Sequence, residues 1–139
     1  MGEAIVIVHP DLKPKFRFHL RQKGALFAKN RMVSIQFVEF FKDNLYLESA
    51  KHANQMAQQL KDGIKKLGYS FQTDSPTNQL FPIFPNTIIE KLEKNYGFYR
   101  WKAWDSENTV IRLVTSWATK PEMVDGFITD LRLISLGDA

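Results

Sequence analysis

Three patterns of apolar and polar positions follow one another along the chain. Ala4 to Val8 is continuously apolar and partly β-branched, which predicts a strand covered on both faces. His9 and Pro10 end it, and Asp11 is placed to cap a short basic helix that carries Pro14 in its first turn. Gly24 breaks that helix. The next stretch, Ala25 to Phe41, is helical in character, but Leu26, Phe27, Met32, Val33, Ile35, Phe37, Val38, Phe40 and Phe41 surround its axis. A helix apolar all round belongs inside other structure. After a turn at Asp43 and Asn44 the pattern becomes conventional. Leu47, Ala50, Ala53, Met56, Leu60, Ile64 and Leu67 recur at steps of three and four, opposite Lys51, Gln58, Lys61 and Lys65, and Gly68 stops the helix.

From Tyr69 onward the periods shorten. Tyr69 to Thr73 and Gln79 to Phe84 read as strands, with Pro82 predicting an edge position or a bulge in the second. Asn86 caps a helix running to about Tyr96. Gly97 to Trp104 and Thr109 to Thr115 pair across an Asp105-to-Asn108 turn. Thr119, Pro121 and Glu122 form a capping-box signature for the last helix. The pattern therefore predicts an α+β chain in two parts. Residues 1–43 hold a strand with basic and apolar helices. Residues 44–139 hold a small domain of order ββαββα, an antiparallel sheet with helices on one face.

Composition narrows the function. The absence of cysteine removes disulfides, thiolate metal sites and cysteine nucleophiles, and is consistent with a cytoplasmic protein. No apolar run approaches the roughly 20 residues of a membrane span. His9, His19 and His52 fit no metal-binding spacing. Between Leu12 and Val38 stand seven cations and no acidic residue, within a net charge of +4. That stretch is either a solvated face or a surface for an anionic partner. A small basic nucleic-acid-binding module is the alternative class, since Gly97 to Trp104 interleaves aromatics with cations. Strict alternation would place Phe98, Arg100 and Lys102 on one face and Tyr99, Trp101 and Ala103 on the other, which argues against a single stacking platform. A dimerisation module without ligand is a third reading, carried by the apolar helix.

One residue carries chemistry more pointedly. Arg112 alternates with Val110 and Val114 in a strand whose other face is also apolar. A guanidinium there needs a carboxylate or phosphate, or else an internal Asp or Glu or an exposed face.

The segment Asn108 to Trp117, containing Ile-Arg-Leu-Val-Thr-Ser-Trp, resembles the threonine aldolase and β-eliminating lyase family. Gly2 to Val8, the basic region Phe18 to Gly24 with Lys29 to Arg31, and the His52-Ala53-Asn54 helix also resemble that family, in the same order. The resemblance implies the C-terminal domain of an aspartate-aminotransferase-type enzyme that uses pyridoxal phosphate to cleave a β-hydroxy amino acid. It implies that Arg112 binds the substrate carboxylate and that Lys29 or Arg31 reaches the cofactor phosphate. The family's cofactor-bearing lysine would precede the strand at Gly2, and none of the thirteen lysines lies in a comparable loop. The expectation is therefore a C-terminal piece, inactive by itself, that works with an N-terminal cofactor-binding domain and with a second copy.

Overall fold

The described residues, 5–27 and 29–137 of this computed structural model, divide into two units, Met1–Tyr46 and Leu47–Ala139. The first holds a 3-10 turn at Pro10–Leu12, helix α1 (Phe16–Gln22), helix α2 (Arg31–Phe41) and a second 3-10 turn at Lys42–Asn44. The strand expected at Ala4 to Val8 is not formed over Ile5 to Val8, while Ala4 lies outside the described residues. Backbone amides and carbonyls of a strand need a neighbouring ladder, and no described strand of this unit offers one. Asp11 does not cap α1. It sits inside the first 3-10 turn, where its amide donates to His9 Nδ1 at 3.3 Å, and α1 starts only after Lys15, in a left-handed conformation with φ 58°. Gly24, at φ 70°, ends α1 as the pattern predicts. Helix α2 starts at Arg31, later than expected, and leaves Met32, Val38 and Phe41 exposed. The chain then turns through Asp43 and Asn44, both left-handed, a conformation these two residue types tolerate best after glycine.

Helix α3 (Leu45–Lys66) realises the amphipathic pattern from Ala53 onward, where Ala53, Met56, Ala57, Leu60 and Ile64 are buried, but Leu47, expected inward, is exposed. Lys61 was expected on the polar face and is buried as well. It reaches sideways to donate to the Ser75 carbonyl at 3.2 Å and pairs with Asp74, so its charge stays compensated. The ammonium beside it holds the Asp74 carboxyl below its usual range, with Lys65 adding to the effect. Helices α4 (Asn86–Leu92) and α5 (Pro121–Leu136) join α3 over one face of the sheet. Ile89, Leu92, Val124, Phe127 and Leu131 meet Leu80, Phe84, Ile111 and Leu113 in one core. At Gly63 a side chain of α5 lies against α3: a Cβ there would collide with Ile128.

The sheet is antiparallel, with β4 (Asn108–Val114) central. Strands β1 (Gln79–Leu80) and β2 (Ile83–Pro85) pair with one side of it, and β3 (Tyr99–Ala103) with the other. Tyr69 to Thr73 forms only a single bridge, Phe71 to Pro82, where a strand was expected. Its backbone still borders the sheet, Gln72 donating to Phe81 O and Ser70 O accepting from Ile83. Pro82 lies in an edge segment, as expected, since among the described strands β1 and β2 pair with β4 alone. It splits one strand into β1 and β2 without shifting the register, and its carbonyl accepts from the Ile111 amide at 3.0 Å. Two expected caps also differ. Asn86 is the first residue of α4, and its side chain instead accepts from the Thr109 hydroxyl at 2.7 Å. Thr119 Oγ1 accepts from the Ser116 amide, and α5 begins with Lys120 at its N-cap and Pro121 in its first turn.

Candidate functional site

The hairpin register decides what surrounds Arg112. Near the turn, Ala103 pairs with Thr109 and Lys102 with Val110, but beyond Trp101 the pairs are Arg100 with Ile111 and Tyr99 with Arg112. Trp101 is thus an extra residue, a bulge in β3. Without it Arg100 would face Arg112 across the ladder, two like charges directly opposite. With it, a tyrosine ring takes that place. Arg100 turns away to a two-pronged contact with Glu93, Nε to Oε1 and Nη2 to Oε2, both 2.7 Å. That contact lowers the carboxyl pKa of Glu93 and keeps it engaged.

The guanidinium carbon of Arg112 lies 4.8 Å from the Tyr99 ring centre and 5.4 Å from that of Trp101. Trp101 is braced in turn by Phe81 at 5.5 Å, and the register of β1 and β2 puts Phe81 opposite Arg112 on the other side of β4. Three aromatic rings therefore fix one cation on the sheet face that the helices do not cover. Cation–π attraction of this kind supplies about 0.5–2 kcal/mol but no hydrogen-bond acceptor. Arg112 Nε is buried and donates to nothing, and among the described residues no Asp or Glu forms an ion pair with Arg112. A hollow lined by Gly97, Phe98, Tyr99, Arg112 and Val114 opens in front of it. A guanidinium in that setting matches a planar anion such as a carboxylate in geometry.

Lys29 and Arg31 belong to the first unit. Lys29 is exposed in the bend before α2, and Arg31 is the first residue of that helix. Asn30, at the N-cap position, makes no side-chain cap, and its carbonyl accepts from the Val33 and Ser34 amides, which leaves the amides of Arg31 and Met32 beside two cations. That donor set fits a phosphate. His52 Nε2 hydrogen-bonds the Thr119 carbonyl at 2.7 Å, tying α3 to the entry of α5. Thr115 ties the same elements, donating to the Ala53 carbonyl at 2.7 Å. Among the described residues no cluster of three or more His, Asp or Glu could hold a metal, and no helix is long and apolar enough to cross a membrane.

Sequence reasoning found Arg112 but not its setting. Tyr99 and Trp101 flank it only because of the bulge, and strict alternation gives no sign of one. Thr115 and His52 stand in the two stretches that carry the resemblance, and the structure joins them through α3 and the loop before α5.

A low-specificity L-threonine aldolase of Pseudomonas sp. (strain NCIMB 10558) is 29% identical over 140 residues, covering 96% of this chain. A solved threonine aldolase of Leishmania major superposes with a TM-score of 0.81 and 38% identity over 88% of the chain. The chain is a relative of the threonine aldolases. It spans 38% of the Pseudomonas protein's length and 36% of the Leishmania chain, so the likeness is to part of a threonine aldolase. No family model matches the sequence. The α+β architecture of this threonine aldolase relative, helices over one face of a small antiparallel sheet, is that of the solved neighbour.

Proposed function

We propose that the chain is the C-terminal, carboxylate-binding part of a pyridoxal-phosphate-dependent lyase of the threonine aldolase type, acting in the cytoplasm on a β-hydroxy amino acid. The observation that carries this reading is the state of Arg112: braced by aromatic rings, open to a hollow, and without an acidic partner. A buried guanidinium nitrogen is ordinarily met by an acceptor of its own chain, a carboxylate among the strongest. Here the carboxylate is the substrate's. Two parallel N–H donors grip both oxygens, which fixes the plane of the carboxyl group and with it the direction of the bonds at Cα.

Pyridoxal phosphate, when bound, supplies the electron sink for breaking the Cα–Cβ bond. From this chain Lys29, Arg31 and the first amides of α2 fit its phosphate arm, and no described lysine is placed to hold it covalently. Lys61, the buried one, is committed to Asp74 and Ser75. The chain therefore works with a larger cofactor-binding domain and, through α2, with a second copy.

The carboxylate role is tested by titrating the chain with L-threonine and with threoninamide, which lacks the carboxylate. Threonine should move the Tyr99 and Trp101 ring resonances, the amide should not, and Arg112→Gln should abolish the response. Equal shifts from both ligands would overturn the assignment.

A further inference from the structure

The hollow at Arg112 has a neighbour. A second one, of about 330 Å³, opens beside it, and Gly97, Phe98 and Val114 line both. Its remaining wall is largely apolar, with Leu113, Met123, Val124 and Phe127 prominent. Most of that wall is fixed. Leu113, Val124 and Phe127 belong to the core, and Tyr96 is held by its hydroxyl to Asp130 at 2.6 Å and by its edge contact with Phe127. The Thr119 carbonyl at its rim is already taken by His52. The volume falls at the low end of small-molecule sites, roughly 300–1,000 Å³, enough for a substituent rather than a whole large ligand.

Gly97 stands between the two hollows. A Cβ built there would meet nothing within 4 Å, so the absence of a side chain leaves open space and not a tight backbone contact. We propose that the two hollows form one site, in which Arg112 holds a carboxylate while an apolar substituent of the same molecule passes Gly97 and lies against Met123 and Phe127. This rests on Arg112 being the carboxylate anchor and names the substrate class: a carboxylic acid with an aromatic or branched apolar side chain, preferred over one with a small polar side chain.

The 139-residue chain is titrated with acetate and with 3-phenylpropionate while the Met123 methyl and the Tyr99 and Trp101 ring signals are followed. Both acids should move the rings. Only 3-phenylpropionate should move Met123, and it should bind roughly tenfold tighter through the apolar area it buries. Gly97→Val should remove that preference. Met123→Ala, at a position 61% exposed and thus harmless to folding, should do the same. Ring shifts from 3-phenylpropionate without Met123 shifts, or an affinity equal to acetate's, overturn the joint site and leave the Arg112 anchor standing. No ring shift from either acid overturns the anchor, and the inference with it. An undiminished Met123 response in Arg112→Gln shows the apolar hollow binding by itself, which also overturns the joint site.

Discussion

Arg112 illustrates how little a single residue's stability role reveals about its function. Its guanidinium gives the fold a cation–π contact with two exposed rings, about 0.5–1 kcal/mol, and costs it a buried Nε without an acceptor. The two effects oppose each other, so Arg112→Ala should change the unfolding free energy by less than about 1 kcal/mol, measured by urea titration. In a complete enzyme containing this chain the same change should cost roughly 2–5 kcal/mol in kcat/KM, because it strips a desolvated carboxylate of its partner. Tyr96 offers a pH handle on the wall of the neighbouring hollow. Burial, and then the hydrogen bond to Asp130, push its pKa from 10.0 to about 12. A raised value means that the folded state holds the proton more tightly. The contribution is complete below the ordinary value of 10.0 and is lost as pH rises through about 12. The wild-type chain should therefore lose stability over that window relative to Tyr96→Phe, in paired denaturation curves from pH 8 upward. Equal slopes for the two proteins would remove Tyr96 as the cause. Asp74 has the opposite sign: its carboxyl pKa is lowered by Lys61 first, so its contribution is present above the usual value of 3.8 and fades as pH falls further.

At the level of elements, the sequence was most legible where burial follows one period and least where a local exception breaks it. The core positions of α3 came directly from steps of three and four, because a long helix packed on a single face leaves no alternative phase. Lys61 broke the rule since a flexible ammonium can leave its own face for Asp74 and Ser75. The bulge at Trp101 was illegible because it is settled by the partner strand, where it keeps Arg100 from facing Arg112, whereas Pro82 announced the edge segment it occupies. Gly63 was invisible to periodicity as well, because its reason is the proximity of Ile128 on α5. It yields a test of that packing. Alanine has the better helix propensity, by about 1 kcal/mol, yet a methyl at position 63 collides with Ile128. Overpacking of this kind costs about 1–3 kcal/mol, so Gly63→Ala should destabilise the chain. Pairing it with Ile128→Val should recover part of the loss. A gain in Tm from Gly63→Ala by itself would show that α3 and α5 are packed more loosely.

On the scale of the whole molecule, the two units were not equally readable. In Leu47–Ala139 the apolar positions find one another, and the pattern of the chain is the pattern of its core. In Met1–Tyr46 the apolar residues outnumber the partners available: Met32 is 85% exposed, Val38 66% and Phe41 63%, and Val6 and Val8 are more than 80% exposed. Folding logic read from this unit alone therefore fails, as it did for the strand at Ala4 to Val8. An apolar surface of this kind is a contact surface, so the chain should associate with rising concentration in sedimentation experiments. Val38→Glu should weaken that association without unfolding Leu47–Ala139. The same incompleteness bears on activity. On the proposed reading Arg112 supplies a carboxylate contact and Lys29 and Arg31 phosphate contacts, but no lysine follows the serine- or threonine-Lys-Asn-Gly pattern of the family the chain resembles. Even on that reading, positioning a ligand without a covalent electron sink does not break a Cα–Cβ bond. Incubation with pyridoxal phosphate, borohydride fixation and peptide mapping should accordingly give scattered, substoichiometric labelling over the exposed lysines, with no cleavage of threonine. One lysine labelled stoichiometrically, together with turnover, would mean that the chain carries a complete lyase site by a route its resemblance does not imply.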